Sequence, residues 1–137
     1  MKGWLHVGGS GDRMSVTIVI PAVPPSANKL RRTYRSPYAY KRLRDGWQRT
    51  VWGMVQGRNR QWLVAMCELQ KKMRVDITFN HSKMDDPDNL PYRGKILLDS
   101  LRNLGFLAND DPAHIELHVK QEKIRSDETW IVIREAQ

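Results

Sequence analysis

A single cysteine, Cys67, among 137 residues leaves no internal disulfide to form, and a chain of this length can bury a core without one. With no activating residue near it in sequence, the thiol is expected to act as a small, partly buried hydrophobe. No apolar run approaches the roughly 20 residues of a membrane span. The first residues carry no apolar segment of the signal-peptide kind. The expectation is a protein of the reducing cytoplasm that meets no membrane. Gly8-Gly9-Ser10-Gly11 is followed by no Gly-Lys-Ser/Thr, which excludes a phosphate loop of the usual form. No cysteine accompanies His114 and His118, so a zinc pair is not indicated and surface histidines are the simpler reading. There is no internal repeat and no sign of a second domain.

Acids are also scarce: 15 Asp and Glu stand against 23 Lys and Arg, a net charge of +8. The excess is concentrated. Lys29, Arg31, Arg32, Arg35, Lys41, Arg42, Arg44, Arg49, Arg58 and Arg60 share their segment with one acid, Asp45. So lopsided a stretch costs self-repulsion and has no structural use, so it points to phosphate contacts with nucleic acid. The interleaved Tyr40, Trp47 and Trp52 are assigned to the core.

Against this background the few acids are grouped: Asp85-Asp86-Pro87-Asp88-Asn89, and later Asp110-Asp111. Asp86 precedes a proline and is held extended, and Pro87 fixes its own φ, so Asp86 and Asp88 start from a stiffened tripeptide. A helix beginning at Pro91 would set Asp88-Asn89 just before its N-terminus, where the macrodipole favours anions. Capping accounts for one carboxylate. Three together repel one another unless a cation intervenes, and Mg²⁺ takes carboxylate and phosphate oxygens at once. A basic protein with a tight carboxylate group therefore reads as a metal-dependent enzyme acting on nucleic acid. Lys95 and Asp99, at i,i+4, are either a surface ion pair or a lysine placed beside the metal site. His81, close to the acidic group, is read as a solvated loop histidine.

Met14 to Ile20 is a β-branched run and the first expected strand. Pro24-Pro25-Ser26-Ala27-Asn28 reads as a rigid turn. Ser36-Pro37 is a helix start. Tyr40, Leu43, Trp47, Val51, Met54 and Val55 follow at helical spacing, and Gly57 is the expected stop. Met73 to Phe79 alternates as a half-buried strand. A second helix is expected from Pro91 to Leu104, with Gly94, Leu97, Leu98, Leu101 and Leu104 as its buried stripe and Gly105 ending it. Strands near Ile115–Ile124 and Thr129–Arg134 close the chain. The order β-α-β-α-β-β predicts a single α+β domain over 14–137, with two main helices on one mixed sheet. Residues 1–13 are expected to be a flexible N-terminal extension.

Taken in order, Pro24-Pro25-Ser26-Ala27-Asn28, Asp86-Pro87-Asp88-Asn89-Leu90, Lys95 ahead of Asp99-Ser100-Leu101, Gly105-Phe106 and Asp110-Asp111 resemble the RusA family of Holliday junction resolvases. The resemblance runs from about Met14 to the C-terminus. Pro91-Tyr92-Arg93-Gly94 adds a few residues to the family's usual spacing before the lysine. The resemblance implies a RusA-like fold and a homodimeric endodeoxyribonuclease that resolves four-way DNA junctions by paired symmetric nicks in recombination and repair. Mg²⁺, or Mn²⁺, would be held by Asp86, Asp88 and Asp111, with Asp110 as the alternate, and Lys95 would neutralise phosphate charge. Lys29, Arg31, Arg32, Arg35, Lys41, Arg42, Arg44 and Arg49 would hold the junction arms. The expected place is the nucleoid, in a host or a phage or prophage setting. The rival readings are a related nuclease for other branched DNA and a catalytically silent DNA-binding protein.

Overall fold

β-branched and aromatic residues at alternate positions build the sheet. A computed structural model describes residues 14–137. The expectation made for residues 1–13 lies outside the described residues. Strands β1 (Ser15–Ile20), β2 (Met73–His81), β3 (Ile115–Lys123) and β4 (Glu128–Glu135) form one four-stranded sheet in the order β1-β4-β2-β3. The β2–β3 pair is parallel and the others are antiparallel, so the sheet is mixed, as predicted. Val16, Ile18 and Ile20 of β1, Val75, Ile77 and Phe79 of β2, and Ile131 and Ile133 of β4 are buried on one face. The helices pack on that face.

Those helices are α1 (Ala27–Thr33), α2 (Pro37–Met54), α3 (Gly57–Glu68) and α4 (Leu90–Asn103). The two expected helices are α2 and α4, which pack on each other and on the sheet. Ser36 caps α2 as its sequence suggests, its hydroxyl accepting the Ala39 N–H at 3.1 Å. The other two helices correct the sequence reading. The proline segment does not simply turn: Ser26 accepts the Lys29 N–H at 3.2 Å and starts α1. Gly57 does not merely stop a helix. α2 ends at Met54, and Gly57, at φ +58°, opens α3. Arg60 seals the join by donating to the Val55 and Trp52 carbonyls, 2.9 Å each, with its guanidinium 3.6 Å from the Trp52 ring centroid. Trp47 packs on the core as assigned, whereas Trp52 is 44% exposed and stacks on Phe106.

The α4 stripe is buried largely as read. Gly94 faces the sheet, where an added Cβ would touch Ile77, Val119 and Phe79 at ordinary contact distance. Leu97 is fully buried in the same core. Leu97→Ala is expected to cost about 2–5 kcal/mol, measured as a shift of the urea unfolding midpoint at unchanged slope.

Topology places the loops. α4 is the crossover between the parallel strands β2 and β3, and such a crossover must run back along the sheet. The β2-to-α4 loop therefore leaves from the His81 end, and the α4-to-β3 loop arrives at the Met73 end. No helix of the described residues is long and apolar enough to cross a membrane.

Polar pairs line the open side of the sheet near edge strand β3. Arg74 pairs with Asp76 at 3.0 Å and with Glu116 at 3.6 Å, and His118 Nε2 meets Glu116 at 2.7 Å. The bond from His118, aided by Arg74 and Lys72, holds the Glu116 carboxyl below its ordinary pKa. A depressed carboxylate contributes fully above its unfolded pKa and loses that contribution as pH falls through the lower folded value. Glu116 is thus expected to titrate below the ordinary range by NMR, and His118→Ala should bring its midpoint back up.

Candidate functional site

The acidic segment leaves β2 at His81 and is fixed before the catalytic candidates begin. His81 is the last residue of β2 and is 5% exposed, so it is a buried strand residue and not a solvated loop histidine. Asp85 is bound from three sides. Its N–H donates to Gln121 Oε1 at 3.0 Å, and its carbonyl accepts from Gln121 Nε2 at 2.8 Å. Its carboxylate takes two bonds from Arg93, at 2.6 and 2.8 Å, with both side chains nearly buried. Asp85 is therefore neutralised by protein, and it leaves the set of acids that need a cation.

Asp86 and Asp88 are different. Pro87–Asn89 forms a single 3₁₀ turn running into α4, with Asp86 extended before it, at φ −63° and ψ 143°. Neither carboxylate caps the helix, and neither has an ion-pair partner among the described residues. Both residues are exposed. Asp86 borders a cleft of ≈ 570 Å³ between the Pro24–Lys29 segment and the acidic segment. Lys29 and Arg32 stand on the opposite wall, and Lys83 and Asn89 also line the cleft. Two free carboxylates on a stiff turn suit Mg²⁺, which binds through one or two carboxylates and fills its octahedron with water and substrate phosphate.

Asp110 and Asp111 do not join them. The expected triad fails within one chain, because these residues lie in the α4-to-β3 loop at the far end of the crossover. α4 alone, at 1.5 Å per residue, separates the ends by about 20 Å. No group of three His, Cys, Asp or Glu side chains among the described residues is placed to hold a metal ion. Asp111 accepts the His114 ring Nδ1–H at 2.6 Å and the His114 backbone N–H at 3.1 Å, closing the turn into β3. The imidazole bond holds its carboxyl below the ordinary range. Asp110 pairs with Arg102 at 3.2 Å, and the same guanidinium takes Asp99 at 3.3 Å.

That pairing removes one of the two readings of Lys95 and Asp99, the surface ion pair. Lys95 is exposed and pairs with no carboxylate among the described residues. Tyr92, Lys95 and Asp99 recur at spacings of three and four on α4, so they follow one side of the helix. Lys95 lies in the second turn of α4, seven residues beyond Asp88. It borders a smaller groove of ≈ 230 Å³ with Pro25, Tyr40 and Tyr92, outside the Asp86 cleft. Burial, with the Asp99 charge behind it, raises the Tyr40 hydroxyl above its ordinary pKa.

Compared with known proteins, the chain matches no family model and no curated protein.

The basic segment forms a surface that starts at the cleft. Lys29, Arg31 and Arg32 are on α1, Arg35 is in the link, and Lys41, Arg42, Arg44 and Arg49 are on α2. All are exposed except Arg44, which is half-buried. Asp45 pairs with Lys41 at 3.3 Å and Arg44 at 4.0 Å. Arg31 bonds to Asn28, and Arg42 lies 5.6 Å from the Tyr38 ring centroid. Lys29, Arg32, Arg35 and Arg49 form no ion pair among the described residues, and so remain available to phosphate.

Sequence reasoning missed Arg93 and Gln121, which hold the acidic segment. Arg93 did leave a signal. It falls beside Gly94 on the buried stripe of α4, and a charge at such a position needs a partner.

Proposed function

We propose that this protein is a metal-dependent endodeoxyribonuclease acting on branched DNA, with a four-way junction as its substrate. The observation that carries this reading is the free Asp86–Asp88 pair on a proline-stiffened turn, with Asp86 bordering a cleft that Lys29 and Arg32 also line. Carboxylates facing a polyanion are repulsive until a divalent cation reverses the sign, and the basic surface beyond the cleft supplies the polyanion's contacts. Asp86 and Asp88 would hold Mg²⁺ or Mn²⁺. When bound, such an ion lowers the pKa of a coordinated water and polarises a phosphoryl oxygen. The chain's own groups orient the strand: Lys29 and Arg32 bind phosphates beside the cleft, and Arg35, Lys41, Arg42 and Arg49 extend the track over α1 and α2. Lys95, in the second turn of α4, would bind a phosphate further along the same strand.

The opposite-end placement of Asp111 has a consequence for assembly. If Asp111 contributes to the metal site, it does so to a second copy. A two-fold homodimer makes this arrangement natural, since one subunit's Asp111 end can face the other's acidic turn. β3 is an edge strand, and antiparallel pairing of β3 with its copy would set the start of one beside the end of the other. Two sites related by a two-fold axis suit two strands of a two-fold junction.

The second reading, a silent DNA-binding protein of the nucleoid, draws on the absence of a three-ligand metal group among the described residues. One assay separates the two. With Mg²⁺, the full chain is expected to cut a synthetic four-way junction into nicked duplexes and to leave linear duplex intact. Binding without cutting in both Mg²⁺ and Mn²⁺ establishes the silent binder, and equal cutting of linear duplex removes the junction specificity.

A further inference from the structure

Arg93 is 8% exposed and makes three contacts, all to the two walls of the cleft. Its Nε and one terminal nitrogen grip both oxygens of Asp85, and the other terminal nitrogen donates to the Pro24 carbonyl. Asp85 leads directly into Asp86, and Pro24 begins the segment that carries Lys29. One guanidinium thus ties the carboxylate wall to the basic wall. Gln121 completes the clamp from β3. Because its amide oxygen accepts the Asp85 N–H while its nitrogen donates to the Asp85 carbonyl, the amide orientation is fixed. His81 Nε2, 3.1 Å from the same oxygen, must then be the protonated ring nitrogen.

We infer that Arg93 and Gln121, acting through Asp85, are positioning residues that set the aim of the Asp86–Asp88 turn and the width of the cleft. The inference rests on the metal-nuclease reading above. Stability alone does not account for the arrangement, since well-packed apolar residues of similar volume often replace a buried ion pair without loss. What an apolar pair cannot supply is a planar fork that fixes one loop and reads the carbonyl of another. Lysine has the charge but not the fork. Arg93 and Gln121 bond to Asp85, not to Asp86 or Asp88, so they would act on a cation held by those two from the second layer, from which neighbouring groups commonly tune metal affinity.

The test compares the full chain with Arg93→Lys and Gln121→Ala. The second variant removes the backbone clamp without stranding a buried charge, so it remains informative should the first fold poorly. Mn²⁺ binding is followed by electron paramagnetic resonance, junction binding is measured without metal, and thermal unfolding reports the fold. Both variants are expected to weaken Mn²⁺ binding by about tenfold or more, and to raise the Mg²⁺ requirement for cleavage in parallel. Metal-free junction binding, spread over the basic surface of α1 and α2, should change far less than Mn²⁺ binding, which a collapsed fold would not allow. A parent chain that binds Mn²⁺, with both folded variants within about twofold of it, overturns this inference alone. A parent chain that takes up no Mn²⁺ overturns it together with the metal reading.

Discussion

Asp88→Asn is expected to bind a four-way junction at least as tightly as the parent chain and to cut it at least about a thousandfold more slowly. Lewis-acid and water-activation effects of a bound cation amount to several kcal/mol, and each 1.36 kcal/mol is about tenfold in rate. The binding side of this prediction has a sign of its own. Without metal, the Asp86 and Asp88 carboxylates would face bound DNA unscreened, since no Lys, Arg or His of the described residues pairs with them. Removing one charge should therefore tighten metal-free binding, and the difference should shrink as Mg²⁺ is added to the parent. Gel-shift titrations with and without Mg²⁺, alongside single-turnover cleavage, measure both effects. Asp85→Asn makes the contrast. Its carboxylate is already neutralised by Arg93, so metal-free DNA binding gains little from its loss. An Asp88→Asn chain that cuts at the parental rate would remove Asp88 from the chemistry.

That contrast between neighbouring aspartates was only partly legible in the sequence. The clustering of Asp85, Asp86 and Asp88 was plain, and so was the repulsion it implies. Which of the three has a protein partner depends on a contact eight residues downstream, where Arg93 turns inward from α4. The strands were legible because their alternation survives in sequence: Met73, Val75, Ile77 and Phe79 are buried as their spacing predicts. α2 and α4 were legible for the same reason at helical period. α1 was hidden because two prolines and an asparagine read as a turn, although Ser26 was already a cap. α3 was hidden because Gly57 reads as a terminator, and because Trp62-Leu63-Val64 is a continuous apolar run without helical spacing, with Leu63 alone fully buried.

Whether β3 returns beside β2 in the parallel or the antiparallel sense lies outside what periodicity records. Yet that choice decides where Asp111 goes. An antiparallel return would have let the α4-to-β3 loop lie near the acidic turn. The parallel return sends Asp110 and Asp111 to the other end, where Arg102 and His114 hold them. The motif spacing therefore lists the acidic residues and gives no indication that one chain keeps them apart.

Mixing two inactive variants exposes the consequence. Asp88→Asn and Asp111→Asn are each expected to be inactive as homodimers, because each of the two sites then carries one lesion. In a heterodimer of the two, the outcome depends on how the sites are composed. If each site uses Asp86, Asp88 and Asp111 of one chain, both remain damaged and mixing restores nothing. If each site joins one chain's acidic turn to the partner's Asp111, both lesions fall in one site and the other is intact. Random reassortment of equal amounts makes about half the dimers mixed, each with one working site, so about a quarter of parental sites should return. Those sites should nick one strand of the junction and leave the symmetric strand whole, which denaturing gels of separately labelled strands resolve. Recovery in the mixture with single-strand nicking supports the shared site, whereas activity of Asp111→Asn alone would confine Asp111 to its turn-closing bond with His114.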